Sequence, residues 1–186
     1  MTFDPTAYGP GVEQILRLDG AGERRMPLTR GGCSSAVARK ALQTAGARGL
    51  FAGSRAPEAA LAGLYLYFSC WDEAHEAAQN IPTPEGSYWH AIVHRQEPDD
   101  WNSSYWFRQA GRHAIFPKLA ECAAGFGIGG ASRWDPTEFI AVCAEARREP
   151  GGDLERRALE VQRIEWQLLF DYCAAKTAAG GTSSLV

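Results

Sequence analysis

No apolar run in this 186-residue chain approaches the roughly 18 residues that a membrane span requires, so a bilayer-threaded protein is not expected. A basic stripe is missing too. With 19 Lys and Arg against 22 Asp and Glu, the net charge is -3, which argues against a nucleic-acid backbone as the main partner. There is no Gly-x-Ser-x-Gly elbow, and Ser87, Ser103 and Ser104 fall in helical segments, so a Ser-His-Asp hydrolase is not expected. The glycine-rich stretch GFGIGGASR (125–133) lacks the spacing and the preceding strand of a dinucleotide fingerprint and reads as a connector. The five cysteines, Cys33, Cys70, Cys122, Cys143 and Cys173, form no C-x-x-C pair and have no histidine at zinc-finger spacing. They read as buried thiols in a reducing compartment. The first ten residues carry an acid and two prolines where a secretory signal carries basic and then apolar residues, and a bacterial-type cytoplasmic location is the expectation. A chain of this length buries roughly 70% of its unfolded surface, so a metal would serve function rather than hold the core.

Strand pairs are absent as well; the pattern is helical throughout. Residues 1–32 read as an irregular N-terminal arm with a two-turn apolar patch at Val12, Ile15, Leu16 and Leu18. Residues 33–178 read as a single all-helical domain and 179–186 as a flexible tail. Ser34 or Ser35 caps a helix that closes at Gly46. Pro57 opens one long helix running to Ile81 without a breaker except Gly63. Thr83-Pro84-Glu85 starts another, which stops before Pro98, and Asp99 or Asp100 caps the next, ending at Gly111. A Pro117-led helix, a capping box at Asp135 to Glu138, and a long amphipathic segment from Asp153 to about Ala178 complete the set. The expected fold is all-α, a compact bundle of about seven helices. The last helix either closes the core or pairs with a second copy as a homodimer.

Histidine is scarce and unevenly placed. All four, His75, His90, His94 and His113, lie between Tyr65 and His113, with half of the aromatic residues. On one helix, His90, His94 and Glu97 fall within an arc of about 60°. Two imidazoles one turn apart and a carboxylate in the next turn suit zinc or non-haem iron, with His90, His94, Glu97 and Asp99 as the candidate ligands and His75 or His113 completing the sphere. The alternative is a polar helix face whose histidines hydrogen-bond to neighbours. In the following helix Trp101, Tyr105, Trp106 and Phe107 surround the axis, which predicts burial on nearly every side. An aromatic-walled pocket for a small polar molecule or a peptide would draw on His75, Trp89, His90, His94, Asn102, Tyr105, Arg108 and His113. Arg95 and Arg108 offer guanidinium groups for a carboxylate or phosphate, or ion pairs with Glu97, Asp99 or Asp100.

A shift of 30 residues lays Cys70-Trp71-Asp72 over Asp100-Trp101-Asn102 and Gln79 over Gln109. Ala60 to Ala78 resembles a tetratricopeptide-type hairpin, and Tyr105 to Ala110 resembles the second helix of Sel1-like repeats; a repeat-like helical-hairpin centre is implied. The stretch GSYWHAIVHRQEPD (86–99), with Asn102, Tyr105-Trp106-Phe107-Arg108, Gly111, Arg112 and His113, is similar to a family of bacterial and fungal proteins. That family shares W-H-A-I-x-H-R-x-E-P-D, then N-x-x-Y-W-F-R and G-R-H-P, and has no established reaction. Ala114 departs from its usual proline, and Trp101 from a small polar residue. Two functions follow from the residues: a binding or scaffold domain with a histidine and aromatic pocket, or a metal-assisted hydrolase or oxygenase.

Overall fold

Short polar side chains, Ser35, Thr83, Asp99 and Asp135, cap the start of four helices, and the computed structural model, which describes residues 3–130 and 132–177, arranges the helices in sequence order. The helices are α1 (Pro10–Leu16), α2 (Ala36–Phe51), α3 (Pro57–Tyr67), α4 (Trp71–Gln79), α5 (Pro84–Gln96), α6 (Asp100–Ala110), α7 (Phe116–Ala124), α8 (Pro136–Ala146) and α9 (Asp153–Ala174). Among the described residues there are thus nine α-helices, two 3-10 turns and no strand beyond two isolated bridges. None of these helices is long and apolar enough to cross a membrane. Consecutive helices from α2 to α6 pack against one another, and α9 packs on α3, α7 and α8. Residues 179–186, expected as a tail, lie outside the described residues.

The count exceeds the expected seven for two reasons. The apolar patch near the N-terminus forms α1, and Phe3, Tyr8, Val12, Ile15, Leu16, Met26 and Leu28 are buried in the common core. The long helix expected from Pro57 to Ile81 is broken at residues 68–70, where Ser69 takes a positive φ of 54°. The cause is remote in sequence. Arg24 donates to the Tyr67 carbonyl and Ser34 N to the Phe68 carbonyl at 2.7 Å, so the N-terminal segment satisfies carbonyls that a continuing helix would have paired internally, and Arg24 also holds Ser69 Oγ at 3.0 Å. After the break α4 turns to lie between α3 and α5.

Gly46 does not end α2; it takes φ 62° and ψ 179°, and helical residues resume to Phe51. Ser35, rather than Ser34, is the cap, accepting from Ala38 N at 3.1 Å. α3 is buried on nearly every side, and its Gly63 is required by close approach: a Cβ there would stand 2.7 Å from the Trp89 ring. Trp166 of α9 donates to the Gly63 carbonyl at 2.7 Å, so two tryptophans seat α5 and α9 on the same point of α3. The expectation of five thiols is corrected. Cys33 and Cys70 are joined by a disulfide, tying the N-terminal segment to the start of α4, while Cys122, Cys143 and Cys173 are free.

Candidate metal centre

α5 begins where Thr83 Oγ1 accepts from Gly86 N at 3.3 Å, with Pro84 in the first turn and Glu85 at the positive end of the dipole. Gly86 admits no side chain, because a Cβ would lie 2.3 Å from the Ile81 carbonyl oxygen. That start fixes the register of the helix. Tyr88, Trp89, Ile92 and Val93 are fully buried in the core, and His90 and His94 fall together on the face toward α4 and α6. α4 presents His75 to them one turn after Trp71, whose indole stacks on the His75 ring (centroids 5.0 Å apart, 16° between planes) and donates to the Val93 carbonyl at 3.2 Å.

The three imidazoles converge. His90 Nε2 lies 3.1 Å from His75 Nε2 and 3.2 Å from His94 Nε2, and one ring nitrogen from each residue lies within 4.8 Å of the other two. Trp106 of α6 covers His90, with ring centroids 4.3 Å apart. His90 is 3% exposed, and its Nδ1 is buried without a hydrogen-bond partner. Burial, with His94 and His75 alongside, lowers the His90 imidazole from its ordinary 6.5 to about 4. Burial and the neighbouring His75 also lower His94, against the opposing pull of Asp99 and Glu97. At neutral pH both rings are therefore uncharged, the state in which a ring nitrogen offers a lone pair to a metal.

Glu97 and Asp99 do not complete this cluster. Both carboxylates lie on the other side of the ring, with Glu97 Oε2 3.4 Å and Asp99 Oδ2 3.9 Å from His94 Nδ1. The reason is local: Glu97 is the C-cap of α5, already out of the helical spiral, and Asp99 is the N-cap of α6, accepting from Asn102 N at 3.1 Å. Of the four expected ligands, His90 and His94 thus gather with His75, while Glu97 and Asp99 gather with His94 on its other side. Asn102 reaches only as far as Asp99, donating from Nδ2 to Oδ2 at 2.6 Å, and holds the carboxyl below its usual range.

Other predicted residues are elsewhere. His113 packs against Tyr172, Tyr88 and Phe116 and does not join the other three histidines. It lines a separate cavity of about 520 Å³ with Arg112, Phe116 and Trp134. Trp89 faces the core at Gly63. α6 is not buried all round: Trp101 is 72% exposed and Tyr105 38%, and Arg108 beside them is exposed and makes no ion pair among the described residues. Arg95 pairs with none of Glu97, Asp99 and Asp100. It is fully buried and bound to Glu165 of α9 at 2.5 Å, where Tyr88 OH also donates at 2.9 Å, while Arg147 takes Asp100. Sequence reading missed Arg30, which lies over the Trp71 ring at 4.0 Å and beside Asp72 and Glu97. No local pattern signals that contact.

Comparison with known protein families, with curated proteins and with solved structures finds no match for the chain.

Proposed function

We propose that the protein is a metal-binding helical domain in which Nε2 of His75, His90 and His94 holds one divalent transition-metal ion, zinc by preference. One observation carries the reading: His90 Nε2 stands 3.1 Å and 3.2 Å from two other imidazole nitrogens at once. A ring nitrogen has one proton or one lone pair, so hydrogen bonding can satisfy one of those contacts and not both. A cation receiving three lone pairs satisfies all of them. Tetrahedral zinc with nitrogens at 2.0–2.1 Å needs nitrogen-to-nitrogen edges of about 3.3 Å, close to these separations.

Three nitrogens leave a position for water or a small polar ligand, which unites the binding reading with a catalytic one. Zinc sites of three protein ligands and an open position support hydrolysis, so a metal-assisted hydrolase is the second reading, favoured by that open position. An iron oxygenase set of two histidines and one carboxylate is disfavoured, because Glu97 and Asp99 sit on the Nδ1 side of His94.

The test is cobalt(II) substitution of the purified full chain, read by its visible absorption. Wild type is expected to take up one tight equivalent with the intense band of a tetrahedral nitrogen site, and H75A and H90A/H94A to lose it. Retention of that band in H75A would overturn the assignment.

A further inference from the structure

The two ring nitrogens of His94 serve different surroundings. Nε2 belongs to the three-histidine cluster, and Nδ1 faces Glu97 Oε2 at 3.4 Å and Asp99 Oδ2 at 3.9 Å. Ligand atoms of His94, Glu97 and Asp99 lie within 4.8 Å of one another, so His94 is common to two metal-ligating groups. We infer that a second divalent cation binds between His94 Nδ1, Glu97 and Asp99, bridged to the first through the His94 imidazole. The inference rests on the three-histidine reading above.

His94 is 8% exposed, and its Nδ1 is buried without a hydrogen-bond partner even though two carboxylates flank it. A ring N–H donating to a carboxylate would stand near 2.8 Å and in line. The observed 3.4 Å, out of hydrogen-bond geometry, suits two ligands that share a cation at about 2.0–2.2 Å from each. Asp99 is held in place by Asn102, which donates N–H to Oδ1 and Nδ2–H to Oδ2, and each oxygen keeps a further lone pair. Glu97 turns Oε1 toward Arg30 at 3.7 Å and leaves Oε2 to face His94. As the C-cap of α5, Glu97 also stands at the negative end of that helix's dipole, which favours a cation. Both carboxylate side chains are 37% exposed, so solvent can reach the position and fill the remaining coordination. One imidazole and two carboxylates suit zinc, manganese(II) or iron(II).

With one ion bound, Nδ1 of His94 carries a proton. When the second cation arrives that proton passes to solvent, and the freed electron pair makes the second bond, leaving an imidazolate bridge with no change of oxidation state.

Copper(II) titration of the full chain, followed by electron paramagnetic resonance, tests this directly. In wild type the signal is expected to grow through the first equivalent and to fall as the second enters, because two bridged copper(II) ions couple. In E97Q and D99N it is expected to stop at one uncoupled equivalent; Glu97 is exposed, and asparagine caps a helix as well as aspartate. Saturation at one equivalent in wild type, or two equivalents with additive signals, overturns the second position and leaves the three-histidine centre standing. No binding in wild type overturns both.

Discussion

Nε2 of His94 lies 3.2 Å from Nε2 of His90, one helical turn earlier on α5, with the rings inclined by 30°. Neither ring gains from a second proton, because the charge it brings would face the other ring across a buried contact. The pair is therefore a neutral donor edge. The i, i+4 spacing that produces it requires only that α5 be a regular helix through this turn, and the register set at Thr83 and Gly86 supplies that.

The buried Arg95 and Glu165 pair, at 2.5 Å and at most 1% exposed, ties α5 to α9 directly behind the histidine face. Removing one partner strands a charge in the core. E165A is expected to lose about 3–5 kcal/mol in urea unfolding, and R95M/E165M to lose less than E165A, since an apolar pair leaves no orphan charge. Equal losses in the two variants would contradict this account.

Close packing at Gly63 gives a second test. A methyl group there meets the Trp89 ring at 2.7 Å, so G63A should cost about 1–3 kcal/mol by overpacking despite alanine's better helix propensity. At Gly49 of α2 the nearest contact is an ordinary 3.6 Å, and G49A is expected to be neutral or stabilising by up to about 1 kcal/mol. Paired thermal melts separate the two, and a stabilised G63A would refute the packing argument.

His113 should make the protein sensitive to acid. Burial lowers its imidazole below the ordinary 6.5; Glu85, 3.9 Å from Nε2, opposes the shift and Arg55 adds to it, while Tyr88 and Tyr172 pack their rings against it. A depressed folded value means that the unfolded chain takes the proton first. The stabilisation is whole above pH 6.5 and is lost as pH falls through the folded value. His90 and His94 act in the same direction in every variant, so the difference isolates His113. The stability lost by wild type between pH 7.5 and 5 is expected to shrink in H113Q, and an unchanged loss would remove His113 from the account.

The helix starts were readable in the sequence because caps are local: Ser35, Thr83, Asp99 and Asp135 each accept from a backbone N–H two or three residues on. The face shared by His90 and His94 was readable for the same reason. What escaped depends on distant partners. Nothing near Ser69 announces that Arg24 will break the helix there, and nothing near Arg95 points to Glu165, 70 residues on. The third histidine was ambiguous between His75 and His113, because that choice follows from where α4 turns. Trp101 misled, since the apolar character of its ring does not report which side of α6 meets solvent.

The break at residues 68–70 decides what counts as the smallest unit that keeps the three-histidine cluster together. A fragment spanning α5 and α6 carries two of the three nitrogens, and adding the residues of α4 supplies the third only if that helix departs from α3 at the observed angle. Arg24 lies 45 residues before the atom it holds at Ser69. The N-terminal segment is therefore part of the centre's architecture, although it contributes no ligand to it.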